Sequence, residues 1–157
     1  MLNLCKVKPS GISNIFRYLS KLLYNVFMKL EGNNQSNIAF KNQPKLSEHE
    51  IDIESNKKRI ELISHIHDYI HNHQLFKDKK IDITFAHMGV SSLVCTIETP
   101  ENIFVLKFRL NTVNNNESIF LNTWEKAGVK VPHEIENGII SGNRYILMEY
   151  VDAPILA

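Results

Sequence analysis

Residues 81–109 read IDITFAHMGVSSLVCTIETPENIFVLKFR. Ile81, Ile83 and Phe85 alternate with Asp82 and Thr84, the period of a strand with one buried side. Residues 87–92 (HMGVSS) read as a turn, and residues 93–98 as a second strand. Residues 99–102 (TPEN) turn again at Pro100, and residues 103–109 make a third strand. Short turns between successive strands predict an antiparallel meander.

Downstream, residues 111–116 are polar, and a helix is expected over roughly 115–127, with Ile119, Phe120 and Trp124 as its buried side. Gly128 suits the stop, because glycine accepts the left-handed backbone that ends many helices. Val131-Pro132 leads to a strand near 134–140, Ser141-Gly142-Asn143 makes a hairpin turn, and residues 144–150 form the last strand.

Upstream the period is helical. Ile12, Ile15, Phe16, Leu19, Leu22, Leu23, Val26, Phe27 and Leu30 recur at three- and four-residue steps. Ser10 or Ser13 suits the start and Gly32 the end, while Arg17, Lys21 and Lys29 lie off the stripe. Such a helix packs on the rest of the protein or on a partner, or it rests on a membrane as a basic amphipathic helix. Residues 31–45 are polar and read as a linker. A second helical stretch covers 47–76, with a break near 54–56 and an apolar side of Ile60, Ile63, Ile66 or His67, Ile70 and Leu75. The chain divides into 1–30 (amphipathic helix), 31–46 (linker), 47–80 (helical) and 81–157 (strand-rich).

The totals bound the function. With 157 residues and a hydrophobic fraction of 43%, one ordinary domain has material for a core. A formal charge of +1 gives no global push toward nucleic acid or an anionic membrane. No apolar run is long enough for a spanning helix, and the polar interruptions near the N-terminus argue against a cleaved signal peptide. Cys5 and Cys95 make no CxxC pair, which fits a reduced, cytoplasmic protein.

Four features carry chemistry. Gly89, Ser91 and Ser92 lie in the first turn, where backbone N–H groups and hydroxyls can hold phosphate oxygens; most such turns are only turns. Lys107 interrupts an apolar strand, either as a solvent-facing position or as a phosphate-binding cation. Glu117 lies on the following helix, where a lone glutamate is usually just solvated. The apolar strand 145–150 ends at Val151-Asp152. The order is strand, Gly-containing turn, strand, strand with a lysine, helix with a glutamate, strand hairpin.

That order resembles the small lobe of the protein-kinase-like fold, and the wording is closest to aminoglycoside phosphotransferases and related small-molecule kinases. The resemblance covers about half the chain. It implies an α+β fold: a five-stranded antiparallel sheet with one helix, preceded here by N-terminal helices. It implies ATP as ligand, with Ser91 and Ser92 on the phosphates, Lys107 on the α- and β-phosphates and Glu117 orienting Lys107. Glu117 with Leu121 fits the family's E-x-x-x-L pattern, and Val131-Pro132 fits its connection to the hairpin. By the same resemblance Met148 backs the adenine pocket, the Glu149 carbonyl accepts from the adenine amino group, and the Val151 N–H donates to a ring nitrogen. The single Gly89 departs from the G-x-G-x-x-G of protein kinases.

The family's catalytic Asp and Mg²⁺ ligands come from a second lobe, beyond the hinge. This chain ends at Ala157, so no catalytic residue is expected in it, and a second lobe or chain would supply the transfer chemistry. His67-Asp68 with Asn72 is no substitute, since it precedes the Gly-containing turn and its spacing is one residue short. His65, His67, His71 and His73 place pairs on one helix face, but zinc needs three or four converging ligands, so a polar helix face is expected and no metal. A different reading remains open: a non-catalytic interaction module that binds a partner or membrane through residues 12–30.

Overall fold

The computed structural model describes residues 11–31, 37–87, 91–110 and 116–152. Ser10, Gly32 and the part of the first turn that contains Gly89 lie outside the described residues, as do the side chain of Ser13 and residues 153–157. The elements, in order, are α1 (Gly11–Glu31), β1 (Ile38–Phe40), a 3-10 turn (Glu50–Asp52), α2 (Ile53–Asn72), a second 3-10 turn (Gln74–Phe76), β2 (Ile81–Phe85), β3 (Ser92–Glu98), β4 (Ile103–Arg109), α3 (Glu117–Lys126), β5 (Glu134–Ile140) and β6 (Asn143–Glu149). The protein is α+β, with one six-stranded sheet in the order β1-β2-β3-β4-β6-β5.

The strands from β2 to β6 pair antiparallel. The sheet differs from the expected five antiparallel strands by β1, which pairs parallel to β2. β1 lies in the stretch that reads as linker. Its three residues are too short to display a period, and pairing comes from outside them. Ile81 N–H donates to Asn37 and Lys41 N–H to Ile83. Just beyond, the Asn42 amide accepts from Phe85 N–H at 2.7 Å and donates to Phe85 C=O at 2.9 Å, so a side chain continues the ladder where the strand stops.

Both helical segments share one core with the sheet. Leu19, Leu23 and Phe27 of α1, Ile60, Leu62, Ile63, Ile66 and Ile70 of α2, and Ile83, Phe85, Cys95, Ile97, Leu106 and Phe108 of the strands form a single buried cluster. Phe27 meets Phe40 edge-on at 5.1 Å, and Phe40 stacks on Phe85 at 5.9 Å. Burial pushes the Cys95 thiol up to about 12, so it is a packing residue rather than a nucleophile.

Three local expectations change. The helix break is not at residues 54–56. Instead α2 starts at Ile53, and Asn56 there ties down the preceding chain, accepting from Ser47 N–H at 3.0 Å and donating to Ser47 C=O at 2.7 Å. Leu75 is exposed, and Phe76 takes the buried place at that end. On α3 the expected buried trio Ile119, Phe120 and Trp124 is exposed. Only Glu117, Ser118 and Leu121 of that helix are half-buried. Amphipathic spacing shows that a helix has an apolar face, not that a neighbour covers it. Gly128 does end α3, with φ +79°, and the β5–β6 hairpin turns through Ser141 (φ 50°) and Gly142 (φ 77°), the left-handed pair that suits the strand twist.

A polar latch fastens α2 to that hairpin. The Glu136 carboxylate accepts from Tyr69 Oη at 3.1 Å, pairs with His73 Nε2 at 2.9 Å and accepts from Tyr145 Oη. Hydrogen bonds from Tyr145 and His73 hold the Glu136 carboxyl below its ordinary value, against the opposing effect of desolvation. Burial pushes the Tyr145 phenol up to about 12, and its bond to Glu136 adds to that.

Candidate nucleotide site

Alternation along β4 fixes the site. Phe104, Leu106 and Phe108 enter the core, so Val105, Lys107 and Arg109 occupy the other side of the sheet, each half-buried. Cross-strand register then sets their neighbours. Thr96, Val105 and Met148 form one row, Val94, Lys107 and Ile146 the next, and Ser92 with Arg109 the third. Ile146 and Met148 are buried but stand outside the core cluster, because they lie on this second face.

The face is therefore graded. Val105 and Met148 make an apolar floor at the end near Tyr150, where β6 stops, and Val94 and Ile146 flank Lys107 in the next row. Lys107, Arg109 and Ser92 make a polar end next to the Ser91 turn. Val105 and Arg109 are separated by about 13 Å of extended strand.

α3 delivers the counter-charge. Lys107 Nζ donates to Glu117 Oε1 at 2.6 Å and Arg109 Nη2 to Glu117 Oε2 at 3.0 Å. Glu117 is the first residue of α3, where the helix dipole favours a negative charge. Desolvation works to raise the Glu117 carboxyl, but the hydrogen bonds and charges of Lys107 and Arg109 outweigh it and hold it below its ordinary value.

The residues expected at this site divide as follows. Lys107 and Glu117 are in contact. Ser92 is cross-strand from Arg109, and the Ser91 carbonyl accepts from Leu110 N–H at 3.1 Å, so both serines adjoin the charged end. Met148 is buried on the same face beside Val105. Glu149 pairs with Phe104, so its side chain belongs to the opposite face; only its backbone can serve a ligand on the Lys107 side. Tyr150 N–H donates to Ile103 at 3.1 Å, keeping the ladder closed to the point where the chain turns off, and Val151 follows, half-buried.

Arg109 is the residue that the sequence reading passed over. Its signal was there: two positions after Lys107 in a strand, it shares the lysine's side of the sheet.

A cleft of about 990 Å³ opens at the end of β6, lined by Ile103, Phe104, His133, Ile135, Glu149 and Tyr150 among others. Ile103 and Phe104, from opposite sides of β4, both line it, so it lies at the strand end, while Lys107 stands four residues beyond Ile103 along β4. Along α2, His67 stacks on His71 at 6.2 Å and His73 belongs to the Glu136 latch. Among the described residues no group of three or more His, Cys, Asp or Glu side chains is placed to hold a metal ion, and no helix is long and apolar enough to cross a membrane.

No family model, curated protein or solved structure matches this chain.

Proposed function

We propose that this chain is the nucleotide-binding lobe of a small-molecule phosphotransferase resembling the aminoglycoside phosphotransferases, and that ATP lies on the Lys107 side of the sheet. The observation that carries this is the Lys107–Glu117 pair at 2.6 Å, a strand lysine oriented by a helix glutamate at the polar end of an apolar floor. Kinase-type sites use that pair to present an ammonium to the α- and β-phosphates.

The fit follows from side-chain chemistry. Val105 and Met148, with Val94 beside Lys107, offer apolar surface for a purine. Lys107 and Arg109 offer two positive charges for phosphate oxygens, and the Ser91 and Ser92 hydroxyls add neutral donors. When Lys107 turns to a phosphate, Glu117 keeps Arg109 as partner, so no half-buried carboxylate is left without a counter-charge. Bound ATP supplies the phosphoryl group; this chain's residues bind and orient it. No residue of this chain is assigned to the transfer step, and no Mg²⁺ ligand is assigned within it.

Amide hydrogen exchange with and without ATP and Mg²⁺ tests the placement. Protection is expected in β3, in β4 and at the end of β6, with α1 unchanged. Protection confined to α1 and α2, or none at millimolar nucleotide, would contradict it.

A further inference from the structure

The two helices cover one side of the sheet, and α1 presents two faces. Leu19, Leu23 and Phe27 are spent on the core, so that part of the apolar stripe is not available to a membrane. What remains outside is a second, mixed face. Tyr18 is 65% exposed, Tyr24 55% and Met28 49%, with Ile15 and Leu22 exposed at its margin. Arg17, Lys21 and Lys29 are exposed among them.

The charge of this region is one-sided. The sequence before Glu31 contains Lys6, Lys8, Arg17, Lys21 and Lys29 and neither Asp nor Glu. Since the whole chain carries only +1, the remainder is net acidic. The near-neutral total conceals a cationic first segment joined to an anionic body, an asymmetry that marks a surface for an anionic partner.

We propose that the outer face of α1 docks on an anionic lipid surface, with Arg17, Lys21 and Lys29 among the headgroups and Tyr18, Tyr24 and Met28 in the interfacial layer. Lipid is favoured over nucleic acid because Met28, Ile15 and Leu22 have nothing to gain against a phosphate backbone, while they gain burial at the acyl boundary. Tyrosine suits that layer, with an apolar ring and a polar tip. α1 lies on the same side of the sheet as α2, so docking turns the Lys107 face away from the lipid and leaves it open to solutes. This inference does not depend on the nucleotide proposal.

The test is co-sedimentation of the full chain with phosphatidylcholine vesicles, with and without phosphatidylglycerol. Salt-sensitive binding to the mixed vesicles is expected, with little binding to phosphatidylcholine alone. Each cation at such a surface raises partitioning about fivefold. The triple variant Arg17→Gln, Lys21→Gln, Lys29→Gln should therefore lose on the order of a hundredfold, with its thermal midpoint unchanged because all three side chains are exposed. Tyr18→Ser, Tyr24→Ser, Met28→Ser should weaken binding further at high salt, where the charges are screened. Equal partitioning of wild type and the triple Gln variant overturns the proposal. So does tighter binding to a single-stranded RNA oligomer than to the mixed vesicles, or a concentration-dependent dimer that buries α1 and excludes vesicles.

Discussion

Lys107 and Glu117 are 10 residues apart in sequence and 2.6 Å apart in space. The carboxylate also takes Arg109 on its second oxygen, which makes the three charges unequal in what each can lose. Glu117→Gln leaves two half-buried cations facing a neutral amide. Lys107→Met leaves Glu117 still paired with Arg109. Urea unfolding should therefore show Glu117→Gln destabilising by about 1–2 kcal/mol and Lys107→Met by less. The reverse order would mean that Arg109 does not hold Glu117.

Acid stability follows from the two depressed carboxyls. Glu117 and Glu136 both titrate below their ordinary 4.5 in the folded protein. A depressed folded value means the unfolded chain binds protons first as pH falls. Their stabilising contribution is thus complete above about 4.5 and lost as pH drops through the folded values. The urea midpoint should hold from neutrality to about pH 5 and then decline. The double variant Glu117→Gln, Glu136→Gln should be less stable at pH 7 and decline less below pH 4.5. An equally steep acid decline in that variant would place the sensitive groups elsewhere.

The α2–hairpin latch has a steric weak point. A Cβ built on Gly138 would sit 2.9 Å from Tyr145 Cε1 and 3.1 Å from its hydroxyl. The ring is buried and its hydroxyl is committed to Glu136, so it cannot swing aside without breaking that bond. Gly138→Ala should cost about 1–3 kcal/mol in chemical denaturation, and the same substitution should cost less in a Tyr145→Phe background, where no hydroxyl bond fixes the ring. An Ala variant as stable as wild type would show the ring to be free.

The strand-rich part was legible in the sequence because β2, β3 and β4 alternate across short turns that contain Gly89 and Pro100, while β5 and β6, the latter apolar on both faces, are joined by the short turn at Gly142. β1 was not, since three residues show no period and its pairing rests on Asn37 and Asn42. Lys107 stood out only as a cation in an apolar strand; that it meets Glu117 was expected from the family resemblance, not from either residue. Arg109 was obscured because a charged residue at a strand end is ordinary. α3 misled most. Ile119, Phe120 and Trp124 read as a buried side, yet Glu117 is the residue that meets the sheet, and of the apolar positions only Leu121 is half-buried.

That last difference is measurable. Ile63 is fully buried between α2 and the sheet, and Ile63→Ala should cost about 2–5 kcal/mol. Phe120→Ser and Trp124→Ser should each change stability by no more than about 0.5 kcal/mol. Trp124 is the sole tryptophan and 51% exposed, so its fluorescence should be readily quenched by acrylamide in the folded protein. A shielded indole would mean that another part of the chain covers α3.

The most direct test of the nucleotide proposal is the ATP dissociation constant of wild type, Lys107→Ala and Lys130→Ala, by titration calorimetry with Mg²⁺. Lys107→Ala removes the charge-assisted contact to the phosphates while Arg109 preserves Glu117, so it should stay folded and bind about tenfold to a hundredfold more weakly. Lys130, exposed beyond α3, should leave the constant unchanged when removed. Equal affinities for wild type and Lys107→Ala, or no measurable binding by the wild type, would contradict a nucleotide site on this face of the sheet.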